Sequence, residues 1–344
     1  MSVKTKVASV ALSTGLVLAA TGSMAETVIK LQTSTQSGAF EYTYIVDTWG
    51  PKLATMTGGE VKLEFTPINS IVDRKDTPEA VLGGVLQGDL TAVSYFTGRN
   101  PAFAILGDLI AGYDSVDQVQ TFCRHGGGTE ILQDLWDATL PGALHVVGCA
   151  AAAKEALVAK VPINGVADLE GVKIRSPSGL AATVFQKAGA APVSMSLSDV
   201  FTSLEKGVID AADASAYINN STSGFHQVAT YPLYPGIHSM AVRQMTINKG
   251  IWDGLTSEQQ DAVEIWFYAA YDDVRRQLDL QDRAQAAKDA AAGVITIIDW
   301  PQAERDKFRA IAVEAWEETA DKSPEARAAL DAHYSYMRSI GLLR

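Results

Sequence analysis

Cysteine and histidine are scarce in this chain: two and five residues among 344. That excludes a scaffold stapled by several disulfides. With no C-x-x-C pair and scattered histidines, nothing has the spacing of a zinc or haem site. Cys123 and Cys149 admit one bridge or two buried thiols, and sequence cannot choose between them. The chain also lacks G-x-S-x-G, a P-loop and H-E-x-x-H, and no nucleophile stands beside a base. His125-Gly126-Gly127-Gly128 reads as a turn into the following helix, and Asp272-Asp273 as a solvated helix face. Positive charge is in deficit, with 28 Lys and Arg against 40 Asp and Glu, net −12. So acidic a chain is unsuited to gripping nucleic acid or an anionic membrane.

What is present begins with an address. Lys4 and Lys6 precede an uncharged apolar stretch, Val7 to Gly22, and Ser23-Met24-Ala25 supplies small residues. This three-part plan predicts a secretory signal over residues 1–25, cleaved before Glu26, and a periplasmic mature protein. Losing Lys4 and Lys6 leaves 26 basic against 40 acidic residues, net −14, in 319 residues. That length suits two lobes better than one core.

Strand-like and helix-like runs alternate. VIKLQTST (Val28 to Thr35), VKLEFTP and LTAVSYF (Leu90 to Phe96) read as strands, with helices between them from Phe40 to Met56 and in TPEAVLGGVLQG. Such a β-α-β-α-β opening predicts a largely parallel sheet with helices on its faces. After Val146 the pattern repeats, in EALVAK, GVKIRSP, APVSMSL and VIDAADAS, as a smaller α/β lobe. We place the first lobe at 26–149, the second at 150–234, and the return at 235–344. SMAVRQMTIN brings the chain back as a strand, and GVITIIDW (Gly293 to Trp300) reads as a late one. From Thr256 to Ala292 there is neither Pro nor Gly, and Thr256 with Gln259 makes a capping box. At ~1.5 Å per residue this is roughly 55 Å of helix, long enough to run along both lobes. The predicted class is therefore α/β: a two-lobe binding-protein fold with a spanning helix, whose cleft closes on a small ligand by hinge motion.

One stretch asks for more. In GVKIRSPSGL, Arg175 follows Ile174 at the end of a short apolar strand, which Ser-Pro-Ser-Gly then breaks. An arginine there is either a snorkelling surface residue or a guanidinium fork aimed into a cleft at a carboxylate or phosphate.

The segments Asp168 to Asp213, Gly224 to Ser239 and Glu79 to Phe103 resemble the periplasmic solute receptors of tripartite ATP-independent periplasmic (TRAP) transporters. Their D-L-x-G-x-K-I-R-x-P element with a downstream G-V-I-D is the most specific feature, and with the long helix the resemblance covers nearly all of the mature chain. It implies that Arg175 grips the substrate carboxylate, that no cofactor is used, and that the partners are a small organic carboxylate and the membrane permease. GVIDAA, GFHxVA and YPGxH look most like the branch that binds 2-oxoacids and hydroxy acids. That branch carries Glu-Trp and Trp-His-Glu where this chain has Asp213-Ala214 and Ile237-His238-Ser239. One carboxylate with a serine is a thin ligand set for a hard cation, so no bound metal is expected.

Loss of the tryptophan enlarges the pocket that the resemblance implies. Tyr217, Asn219 and Asn220 lie just downstream and are candidates to line it, as are Asp213 and His238. Tyr95 is expected to complete the site from the first lobe, with Gln36, Gln32 and Ser34 as weaker candidates; Phe96 is expected in the core. Two rival readings keep different partners: a receptor feeding a sensor or an ATP-driven importer, and an exported enzyme acting on an organic acid. The apolar stripe in AALDAHYSYMRSIGLL is compatible with a homodimer exchanging C-terminal helices, and equally with packing on its own lobe.

Overall fold

The computed structural model describes residues 1–2, 26–236 and 239–343. Residues 3–25 of the expected signal segment, and His238, lie outside the described residues. No described helix is long and apolar enough to cross a membrane.

Two sheets carry the fold. The first orders its strands β2-β1-β3-β9-β4, where β1 is Thr27–Thr33, β2 Val61–Thr66, β3 Gly88–Ala92, β4 Leu144–Ala151 and β9 Val242–Asn248. The second is β5-β8-β6-β7, with β5 Ala156–Ala159, β6 Lys173–Ser176, β7 Ala191–Ser194 and β8 Ala211–Ser215. The expected parallel opening forms, since β1 pairs in parallel with both β2 and β3. The first sheet is nonetheless mixed: the returning β9 slots antiparallel between β3 and β4.

That insertion lays the two connections between lobes side by side. Ala151, last in β4, stands opposite Val242, first in β9. Beyond them the crossings stay tied, Glu155 N–H donating to the Ser239 carbonyl at 2.9 Å. A Cβ on Gly236 would lie 1.9 Å from the Glu155 carbonyl oxygen, so only glycine lets the crossings approach this closely.

The long helix is continuous from Ser257 to Ala292, with the Thr256–Gln259 capping box in place. Its first half buries Val263, Trp266, Phe267, Ala270, Tyr271, Val274 and Leu278. Their spacing of three and four residues makes one apolar stripe against the first lobe. Each large side chain there removes apolar surface worth about 2 kcal/mol. Its far end holds the second lobe with polar groups instead. Asp282 Oδ1 accepts from Ile218 N–H at 2.7 Å, and Tyr217 O–H donates to Asp289 at 2.8 Å.

Burial pushes the Asp282 carboxyl up to about 7, against backbone hydrogen bonds from Ile218 and Tyr217 that lower it. The folded protein thus keeps a proton that the unfolded chain releases near pH ~4. Stability from this group is full below that pH and declines as the pH rises through about 7. Asp282→Asn keeps an acceptor for Ile218, and it is expected to flatten the fall in Tm between about pH 5 and about pH 8. An unchanged slope in thermal melts would assign the fall to another group.

Some local readings change. The first-lobe strand stops at Ala92, and Val93–Phe96 is a 3-10 turn, which puts Tyr95 beyond the strand end. Phe96 is buried against Phe103 and Trp136, as expected. Gly293 to Trp300 forms only one bridge, Ile298 to Leu233. Cys123 and Cys149 form a disulfide, with Cα atoms 5.4 Å apart. It joins the Val116–His125 helix to β4 across a sequence separation of 26, a constraint worth about 3 kcal/mol by loop-entropy reasoning. The C-terminal stripe packs on its own chain, burying Ala329, Leu330, His333 and Met337. His333 stacks on Phe122 and hydrogen-bonds Tyr113 O–H at 2.8 Å.

Candidate functional site

Ligands of open α/β sheets lie beyond the carboxyl ends of the parallel strands. Here those ends, and the start of antiparallel β9, face a narrow, partly enclosed cavity between the lobes. Its walls include Ser34 after β1, Ser94 and Tyr95 after β3, and Arg243 on β9. The second lobe contributes Arg175, Pro177 and Ser178, and the crossings contribute Glu155 and Ser239.

Arg175 sits on β6, between the flanking strands β7 and β8. It is 2% exposed. Its Nε donates to the Met195 carbonyl at 3.2 Å, and Nη1 to the Asp213 carbonyl. Carbonyls from beside both neighbouring strands therefore orient the guanidinium. Arginine suits the position because it stays charged when desolvated and presents a rigid planar fork. The sequence that follows explains the cavity's shape. Pro177 ends the strand, and Gly179, at φ 98° and ψ −136°, turns the chain into the Leu180–Lys187 helix.

A second buried guanidinium faces the first lobe's side. Arg243 pairs with Ala92 on β3 and Ala150 on β4, so it stands at the same sheet edge as Tyr95. Its Nη1 donates to the Ala241 carbonyl at 3.3 Å, and Nη2 lies 3.6 Å from Glu41. Burial works against its charge, but Glu41 and Glu155 outweigh this and raise its pKa. Glu155 behaves oppositely: burial, then the neighbouring Asp213 and Asp108 carboxylates, push it well above the usual carboxylate range, and Arg243 offsets only part. Ser239 Oγ donates to Asp108 and also lies 3.2 Å from Glu155. Among the described residues, no three His, Cys, Asp or Glu side chains are grouped to hold a metal ion.

The lobes also touch at the rim. Gln36 Nε2 donates to the Leu197 carbonyl at 3.0 Å, and Asn69 Nδ2 to Ser196 Oγ at 2.9 Å. A Cβ on Gly179 would meet Thr97 Cγ2 of the first lobe at 2.6 Å.

The residues expected at the site divide into three groups. Arg175 and Tyr95 line the cavity. Gln36 and Asp213 stand beside it, Gln36 bridging the lobes and Asp213 fixing Arg175 through its carbonyl. Tyr217 and Asn219 lie elsewhere. Tyr217 is buried against His226 and Tyr234 with its hydroxyl on Asp289, because the far end of the long helix packs there. Asn219 hydrogen-bonds both the backbone and the carboxylate of Glu41, joining the lobes behind the cavity. Arg243 and Asp108 had no role in the sequence reading; the available signal was an arginine inside the apolar run MAVRQMTI.

The family model for bacterial extracellular solute-binding proteins, family 7 (DctP), matches residues 32–323. The chain belongs to the DctP family. A TRAP periplasmic solute-binding protein from Rhodobacter sphaeroides, described as an apo open structure, is 37% identical, with a TM-score of 0.74 over 92% of this chain and 99% of that one. A monocarboxylate 2-oxoacid-binding periplasmic protein of Nostoc sp. is 24% identical over 80% of this chain and 75% of its own length. A 2,3-diketo-L-gulonate-binding periplasmic protein of Escherichia coli is 28% identical over 72% and 74%. This DctP-family chain is thus a solute-binding protein of the TRAP type, with the two-lobe fold expected of it, and the proteins it resembles bind solutes.

Proposed function

We propose that this protein is an extracytoplasmic receptor that captures a small organic carboxylate between its lobes and delivers it to a TRAP membrane permease. One observation carries the reading: a deeply buried arginine, oriented by two backbone carbonyls, lines a cavity that a second buried arginine also lines. A desolvated guanidinium without an anion is costly, and a carboxylate matches its geometry. The Nostoc and E. coli relatives are named for organic acids, which agrees with this chemistry. The N-terminal segment supports export to the periplasm, where such a receptor meets its solute. In this reading the receptor transforms nothing. Closure brings Tyr95 and the Gln36 and Asn69 contacts over the bound acid, and presents one continuous two-lobe surface to the permease.

A thermal-shift panel of the mature chain tests the proposal, since a ligand that binds only the folded state raises Tm by mass action. Small carboxylates are expected to raise it and their amides are not. Hits confined to neutral or cationic compounds would overturn the reading.

A further inference from the structure

Two residues that line the first-lobe side of the cavity each carry a buried polar atom with no protein hydrogen-bond partner among the described residues: Ser34 Oγ and Arg243 Nε. Ser34 is 3% exposed and Arg243 8%. Ser34 N–H donates to the Leu90 carbonyl, which extends β1 beside β3. Arg243 stands opposite Ala92, at the end of the same β3. Both groups therefore occupy one edge of the first sheet, across the cavity from Arg175. Buried donors are nearly always paired, because each orphan sacrifices its hydration.

We propose that Ser34 and Arg243 form a second anchor, which reads a neutral oxygen on the ligand, a hydroxyl or a carbonyl, while Arg175 holds the carboxylate. The proposal rests on the carboxylate reading above and narrows it to oxygen-bearing monocarboxylates. A second anionic group is disfavoured by its surroundings. Arg243 is already paired with Glu41, and Asp108 lines the same cavity. A neutral oxygen accepts from Nε and exchanges a hydrogen bond with the serine hydroxyl without adding charge.

The test is a calorimetric titration of the mature protein with matched short-chain acids: propanoate and butanoate, their hydroxy and oxo derivatives, and malonate and succinate. The wild type is expected to bind an oxygenated acid about tenfold or more tighter than its plain counterpart. Ser34→Ala should erase most of that preference, weakening the oxygenated acid far more than the plain one. Because it removes a buried hydroxyl that has no protein partner, its unliganded Tm should be equal or higher. Arg243→Lys, which keeps a positive charge beside Glu41, should lose the preference too. If folded Ser34→Ala protein retains the preference, the second anchor is wrong and the carboxylate reading stands. Equal binding of plain and oxygenated acids, or tightest binding of the diacids, also overturns the second anchor alone. If none of these acids binds, the carboxylate reading falls and this inference with it.

Discussion

Replacing Arg175 by alanine is expected to weaken ligand binding by about 2–5 kcal/mol, roughly thirtyfold to several thousandfold in Kd. The size follows from its setting. Arg175 is 2% exposed and its guanidinium is held by carbonyls at Met195 and Asp213, so a carboxylate bound there would be desolvated. Truncation leaves that carboxylate unpaired, and strands two backbone carbonyls that accept from Arg175. Arg175→Lys should recover only part of the loss, because an ammonium cannot hold both carbonyls and the ligand with one planar fork. Titration calorimetry on both variants, with circular dichroism to confirm folding, measures the effect. Near-normal affinity in Arg175→Ala would remove this residue from the site.

The second large effect is expected from Gly179→Ala, through closure more than through direct contact. Gly179 has φ 98° and ψ −136°, a region that only glycine enters without strain. Its missing Cβ also faces Thr97 across the cleft, with Cγ2 at 2.6 Å and Oγ1 at 3.0 Å. Two penalties are separable. Backbone strain, about 1–3 kcal/mol, lowers Tm with or without ligand. The clash falls on an arrangement in which the lobes meet at Thr97, and it is expected to lower affinity by opposing closure. Adding Thr97→Ala removes both clashing atoms, so the double variant should regain affinity but not Tm. A double variant that regains neither would mean that the Thr97 contact is irrelevant to binding.

The local pattern at Arg175, an apolar strand, a charged residue at its carboxyl end and a Pro-Gly break within four residues, left a surface arginine and a cleft fork both open; the resemblance of the surrounding segments pointed to the cleft. The long helix was legible from its own residues, a run without breakers that opens on a reciprocal cap. Arg243 and Tyr217 show the limit. What aims Arg243 at the cavity is the insertion of β9 between β3 and β4, strands that begin far earlier in the chain, at Gly88 and Leu144. Tyr217 follows a strand end that faces the cavity, and its type suits a pocket. Asp289, 72 residues onward, draws its hydroxyl to the long helix instead. Neither pairing leaves a trace in the neighbouring residues. Gly293 to Trp300 has the alternation of a strand, yet its backbone meets only the short stretch from Thr230 to Tyr234 among the described residues, so the pattern yields a single bridge, Ile298 to Leu233.

The central claim is that a cleft arginine recognises a carboxylate. The most direct measurement is the thermal shift of wild-type and Arg175→Ala protein, side by side, against small carboxylic acids and their uncharged amides. Acids alone should raise Tm in the wild type, and the shift should vanish in the variant. A shift that survives in Arg175→Ala, or one produced equally by the amides, would contradict it.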